Sequence, residues 1–157
     1  MKRKANELIQ KLRTAELKLA LAESITCGLA ANKLSSCIGV SEVLTSSIVC
    51  YTPEAKMQIL GVKQATIDRC TCESPEVTQQ MAEHLSALVE ADIYAAVTGL
   101  ASSDGSETKE KPVGTVFYCI VYKEKAYHFK KIFKGMPLEI KKQACDGLYR
   151  LILEEII

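Results

Sequence analysis

Apolar residues recur along the chain with two periods. Leu8, Ile9 and Leu12 share one face of a helix over about residues 2–14. Leu17, Leu19 and Leu21 then alternate with smaller or charged neighbours, the period of a strand ending at Glu23. After Ser24-Ile25-Thr26-Cys27-Gly28, the run through Leu29, Ala30, Ala31 and Leu34 predicts a helix stopped near Gly39. β-Branched residues make Val43–Tyr51 a strand. Thr52-Pro53-Glu54 places a capping hydroxyl, a proline and an acid in the order that starts a helix, here a short one ending near Leu60-Gly61. Ser74-Pro75-Glu76 repeats the signature, and Val77, Met81, Leu85, Leu88 and Val89 form the stripe of a helix to about residue 90. Asp92–Thr98 reads as a strand and Ala101–Glu110 as a polar loop. Strands over about 113–122 and 126–133 form a hairpin, and a last helix covers about 138–155.

The order α-β-α-β-α-α-β-β-β-α predicts an α/β protein, a three-layer α/β/α domain with a mixed sheet. A chain of 157 residues suits a single domain spanning 1–157. Net charge is +1, with 48% apolar and 25% charged residues, which calls for neither a nucleic-acid nor a membrane partner. No run approaches the ~18 apolar residues of a membrane span. The basic start is interrupted by Gln10, Lys11 and Arg13 and does not read as a signal peptide. Seven cysteines, an odd number, are read as free thiols of a cytoplasmic protein. Cys70 and Cys72 are spaced too tightly for a zinc knuckle, and His84 and His128 lie far apart, so no metal or cofactor is expected.

Four segments carry candidate chemistry. Ser24–Gly28 joins a strand to a helix N-terminus, where free N–H groups stabilise an anion such as a phosphate, with Ser24 and Thr26 as added donors. The alternative is that one of those hydroxyls caps the helix. Ser41, Tyr51 and Lys56 would make a nucleophile with a lysine base if the lysine is held neutral; the alternative is a capping serine, a strand-end tyrosine and a surface lysine. Thr98-Gly99 ends a strand of an open α/β sheet, the usual ligand position, or simply enters a surface loop. Lys111-Pro112-Val113-Gly114 enters the next strand.

Taken together, these segments resemble the C-terminal domain of the CinA family, which includes nicotinamide mononucleotide deamidases. The family's Ala-Glu-Ser-x-Thr-x-Gly-Leu appears as Ala22–Leu29. Its spaced Gly-x-Ser, Tyr and Lys appear as Gly39, Ser41, Tyr51 and Lys56. Its Val-Thr-Gly-x-Ala is Val97–Ala101, and its Lys-Pro-Val-Gly is Lys111–Gly114. The resemblance implies an amidohydrolase that converts nicotinamide mononucleotide and water to nicotinate mononucleotide and ammonia. It gives Ser41 as nucleophile, Lys56 as base and Tyr51 as proton relay or lysine orienter. Ser24, Thr26, Gly28, Thr98, Gly99 and Lys141 would bind a small-molecule pyridine nucleotide. It also implies a homo-oligomer, a dimer or larger.

Three departures from the family pattern stand out. Cys27 replaces a glycine, Ser102-Ser103-Asp104-Gly105-Ser106 replaces a glycine-rich run, and Gly135-Met136-Pro137 stands where the family has Gly-Asp-Arg. That arginine would clamp a phosphate in two places, which Lys141 does less well. These departures motivate the alternative of a diverged, non-catalytic relative that binds a ligand or partner.

Overall fold

A computed structural model describes residues 2–103 and 106–157. Its strands are β1 (Leu19–Glu23), β2 (Leu44–Val49), β3 (Ile93–Gly99), β4 (Thr115–Tyr122) and β5 (Lys125–Ile132). They form one sheet in the order β2-β1-β3-β4-β5. β1 runs parallel to both β2 and β3, whereas β3-β4 and β4-β5 are antiparallel, so the sheet is mixed. The helices are α1 (Lys2–Thr14), α2 (Leu29–Ser35), α3 (Pro53–Leu60), α4 (Gln64–Cys70), α5 (Pro75–Leu85) and α6 (Pro137–Leu151).

β1 is buried at every residue because both of its faces are covered. Leu19 and Leu21 join Leu8, Ile9 and Leu12 of α1, Leu34 of α2, and Ile140 and Leu148 of α6 in one apolar layer. Ala20, Ala22 and Ala96 pack with Leu60 of α3 and with Val77, Met81 and Leu85 of α5 in the other. The alanines on that face let α5 lie close to the sheet. Buried Tyr149 Oη donates to Ala30 O at 2.7 Å and ties α6 to α2. The three-layer α/β/α fold read from the sequence is therefore present.

Both Pro-containing starts behave as expected. Thr52 Oγ1 accepts from Ala55 N, and Ser74 Oγ accepts from Val77 N. Other boundaries differ. α4 is an addition whose only buried residue is Thr66, so it shows no apolar stripe in the sequence. α5 stops at Leu85 and the chain continues in turns, with Leu88 half-exposed. Residues Val40–Glu42 form a 3-10 turn before β2, and Ile152–Ile156 close the chain as a π-helical turn. The remodelled loop that begins at Ser102 is described only in part; Asp104 and Gly105 lie outside the described residues. Among the described residues no helix is long and apolar enough to cross a membrane.

This topology sets the position of a ligand site. β1 has β2 on one side and β3 on the other, so the chain leaves the carboxyl ends of β1 and β3 in opposite directions and opens a crevice between them. Ser24 follows β1 there, and Leu100 and Ala101 follow β3.

Candidate active site

The residue immediately before Ser24 governs the local geometry. Glu23 is fully buried at the end of β1, and its carboxylate faces the first turn of α2. Glu23 Oε2 accepts from Thr26 Oγ1 at 2.6 Å, Gly28 N at 2.9 Å and Ala30 N at 3.1 Å. Oε1 accepts from Ala31 N at 2.9 Å and Ser47 Oγ at 2.8 Å. These are the N–H groups that the sequence offers to a phosphate, and the protein's own carboxylate satisfies them. This corrects the expectation for Thr26 and Gly28: both serve Glu23 rather than a ligand. Ser24 and Thr26 do not cap α2 either; its N-cap is Gly28, with φ 85° and no side-chain cap.

Ser24 itself faces Lys56. Lys56 sits on α3 with only 1% of its surface exposed. Its Nζ lies 2.9 Å from Ser24 Oγ, 3.1 Å from Cys50 O and 3.3 Å from Tyr51 O. No carboxylate among the described residues comes within ion-pairing distance of it. Burial pulls the Lys56 ammonium below the ordinary lysine range, against a smaller opposing pull from Cys72, Glu73 and Cys50. Nζ donates to all three oxygens, and on loss of one proton it keeps two N–H groups for the carbonyls and turns a lone pair toward the Ser24 hydroxyl.

Ser41 is not part of this arrangement. It lies in the turn before β2, whereas Lys56 follows β2, so the six-residue strand, about 20 Å long, separates them. Ser41 is exposed and lines a depression of about 550 Å³ at the amino ends of the parallel strands, with Lys18, Thr45, Glu90 and Asp92. Lys18 Nζ there donates to Glu42 O, and no hydrogen bond among the described residues joins Ser41 to a base. The serine that meets the lysine is Ser24.

The other expected residues divide. Thr98 is fully buried and shares a 2.8 Å hydrogen bond with Thr78 Oγ1, so it braces β3 against α5 and has no surface for a substrate. Ser24, Tyr51, Gly99 and Lys141 do converge, lining a cleft of about 90 Å³ together with Glu73 and Ser102. Tyr51 orients Lys56 through its main-chain carbonyl rather than its phenol. Its ring forms the exposed wall, with Lys141 Nζ 5.7 Å from the ring centroid. Gly99 is required by close approach: a Cβ there would stand 2.5 Å from Thr115 O and 3.1 Å from Ile25 Cδ1. The N–H groups of Ile25 and Thr26, next to Ser24, have no hydrogen-bond acceptor among the described residues.

Two features were not read from the sequence. Glu73 enters the cleft, and its Oε2 accepts from Ser106 Oγ at 2.9 Å. Lys111 Nζ donates to Thr71 Oγ1 at 2.6 Å and to Glu73 O at 3.3 Å, so the Lys-Pro-Val-Gly segment clamps the corner that delivers Glu73. Thr71 adopts φ 66° and ψ 167°, a region nearly reserved for glycine, and the lysine holds it there. At the start of α6, Glu139 Oε2 accepts from Met136 N at 2.8 Å. That helix end is thus also closed by an internal carboxylate, and Lys141 is left as the cation beside the cleft.

All seven cysteines are free. Burial raises the Cys72 thiol, with Lys56 opposing, which disfavours the reactive thiolate that a redox role would need. Cys27 is exposed and held at φ 49°. A left-handed conformation costs a non-glycine residue on the order of 1 kcal/mol, so Cys27→Gly is expected to raise the thermal midpoint by about 2–4 °C. A scanning-calorimetry trace with an unchanged or lower midpoint would show that the strain is absent.

The comparisons agree with this architecture. A profile described as the CinA C-terminal domain matches residues 1–156. A CinA-like protein of Petrotoga mobilis is 39% identical over 137 residues, covering 87% of this chain and 34% of its own length. A putative competence-damage inducible protein of Caldanaerobacter subterraneus is 38% identical over 128 residues, covering 82% of this chain and 31% of its own. The chain thus spans about a third of the length of these curated relatives. Among solved structures, a CinA superfamily protein from Escherichia coli superposes with TM-score 0.91 at 28% identity, covering 97% of this chain and 88% of that one. The competence/damage inducible protein CihA from Agrobacterium tumefaciens gives 0.90 at 28% identity, covering 97% and 93%. This chain belongs to the CinA C-terminal domain family.

Proposed function

We propose that the cleft is an amidohydrolase site with Ser24 as nucleophile and Lys56 as base, acting on the carboxamide of nicotinamide mononucleotide. One observation carries this reading: Lys56 is buried without a carboxylate partner, spends two N–H bonds on main-chain carbonyls and faces Ser24 Oγ at 2.9 Å. A lysine in that setting is suited to take a proton rather than to hold a charge. The choice of substrate rests on the family resemblance. The exposed Tyr51 ring offers a surface for a flat pyridinium, and Lys141 offers a cation for the phosphate outside the small cleft.

In this mechanism Ser24 Oγ attacks the carboxamide carbon as its proton passes to Lys56 Nζ. The oxyanion falls beside the Ile25 and Thr26 N–H groups, the donors left without partners. Lys56 returns the proton to the leaving nitrogen, which departs as ammonia and leaves Ser24 esterified by the acyl group of nicotinate mononucleotide. A water, deprotonated by Lys56, then cleaves the ester to give the nicotinate product and free Ser24.

Ammonia release from nicotinamide mononucleotide tests this directly. Release that depends on Ser24 supports the reading; no release, or release unchanged in Ser24→Ala, overturns it. The lowered Lys56 also predicts a pH dependence. The base must be unprotonated, so kcat/KM is expected to fall with acidification along a limb centred below the ordinary lysine value of about 10.4. The same residue links stability to pH. Between its folded value and the ordinary one, the unfolded chain binds more protons than the native state, so stability should rise with pH through that window. A pH–rate profile flat across this range would contradict the assignment of Lys56.

A further inference from the structure

The cleft beside Ser24 carries two opposite charges. Among the described residues that line it, Glu73 is the one acid and Lys141 the one base. Lys141 can meet the phosphate of the substrate, whereas no step of the proposed reaction uses Glu73. Its carboxylate is nevertheless held in place. Oε2 accepts from Ser106 Oγ at 2.9 Å. The main-chain oxygen of Glu73 accepts from Lys111 Nζ at 3.3 Å, and the same Nζ fixes Thr71 two residues earlier. Ser74, the next residue, caps α5. The charge itself is left uncompensated. No lysine, arginine or histidine among the described residues lies within ion-pairing distance of the carboxylate; Lys111 donates to the main chain instead. Oε1 accepts no hydrogen bond from a described residue. Glu73 is only partly exposed, and its charge reaches Lys56, where it opposes the effect of burial. A carboxylate that the fold fixes and leaves without a counter-charge attracts a cation, more strongly where water is partly excluded.

We propose that Glu73 is the specificity-determining residue of the cleft: its carboxylate receives the positive ring of an N-alkylated pyridinium and gives the site little hold on a neutral pyridine or dihydropyridine. This role rests on the amidohydrolase reading for the carboxamide and adds the charge state of the ring that the site accepts. For the carboxamide carbon to reach Ser24 Oγ, the ring must enter the cleft, since a single bond joins the two. In the mononucleotide the positive charge is spread over the ring nitrogen and carbons, so the C–H groups of the ring edge also attract an oxygen anion. Tyr51 offers a face for the ring, and Glu73 supplies the charge that only the cationic form can use. Glu73 and Lys141 together match a ligand that is cationic at its ring and anionic at its phosphate. A neutral ring would strip water from the carboxylate and return no charge, which costs affinity.

Calorimetric titration with two probes tests this: nicotinamide mononucleotide and its 1,4-dihydro form, which share the carboxamide, ribose and phosphate but not the ring charge. Both are titrated into Ser24→Ala, where turnover is blocked. The cationic form is expected to bind about tenfold tighter or more. Adding Glu73→Gln keeps the shape of the side chain and an oxygen for Ser106. It should weaken the cationic form by about tenfold and the dihydro form by less than about threefold, so that most of the preference is lost. Glu73→Asp, which keeps the charge, should retain the preference. Equal affinity for the two forms, a preference unchanged by Glu73→Gln, or no binding of either form overturns the proposal. So does a loss of the same size for both forms, which is the mark of a hydrogen bond to the carboxamide rather than of a charge. Binding is read without turnover. A protein that releases no ammonia still shows the preference if Glu73 has this role, and a protein that releases ammonia can lack it, so the two failures are distinct.

Discussion

Ser24→Ala is expected to lower kcat for ammonia release by about a thousandfold or more, with KM little changed and the protein still folded. The size of the effect follows from what the hydroxyl does. It forms and loses the bond to the acyl carbon, so its removal leaves only binding and oxyanion stabilisation to assist a water. The folding cost should be small, because the alanine side chain fits the same space and Lys56 keeps its two carbonyl acceptors. Ser41→Ala is the informative contrast. Ser41 lies at the opposite end of β2 from Lys56 and does not line the cleft, so its loss should leave kcat and KM within about threefold of the wild type. Steady-state kinetics on the two variants separates a nucleophile from a residue outside the cleft. Equal losses of kcat in both variants would contradict the roles assigned to them.

Glu23→Ala should produce the largest loss of stability. The carboxylate is fully buried and accepts five hydrogen bonds, three from main-chain N–H groups at the start of α2 and two from the hydroxyls of Thr26 and Ser47. Removing it leaves those buried donors without an acceptor and withdraws the negative charge from the helix end. Each orphaned donor costs about 1–3 kcal/mol, but partial relaxation and water entry keep the total near 3–5 kcal/mol. At about 2–4 °C per kcal/mol this is a fall of roughly 10 °C in midpoint, measurable by circular dichroism. Glu23→Gln should lose less, since it keeps the shape and one acceptor oxygen while turning an NH2 group toward donors. Because Glu23 adjoins Ser24, Glu23→Ala should also lower activity well below the unfolding temperature. A midpoint within about 2 °C of the wild type would show that the carboxylate does not hold the turn.

The sequence made the fold legible wherever its periods were long. α1, α5, α6 and the β4–β5 hairpin each bury a regular stripe, and the Thr52-Pro53 and Ser74-Pro75 starts are capped as read. α4 was not legible because a short helix lying on the surface needs no stripe. The site was half legible. Lys56, Tyr51, Gly99 and Lys141 do converge, but the pairing of lysine with serine did not follow from spacing along the chain. Ser41 and Ser24 are both near Lys56 in the folding order, and only the parallel arrangement of β1 and β2 decides that Ser24 shares its end of the sheet. The start of α2 departs from its expected role for a related reason. Free N–H groups at a helix start predict a negative partner, and the sequence already held one in Glu23, directly before the turn. A carboxylate at the end of a buried strand leading into a helix is the signal that would have revealed it. Thr98 shows the reverse: a residue at the right end of the right strand whose side chain points into the α5 layer.

The most direct test of the central claim is to locate the acyl group. Mixing enzyme with nicotinamide mononucleotide, quenching with acid on the millisecond scale and mapping peptides by mass spectrometry should find Ser24 esterified by the acyl group of nicotinate mononucleotide, absent in Lys56→Met. An ester on Ser41, or steady turnover with no ester on Ser24 at any quench time, would contradict the Ser24–Lys56 mechanism.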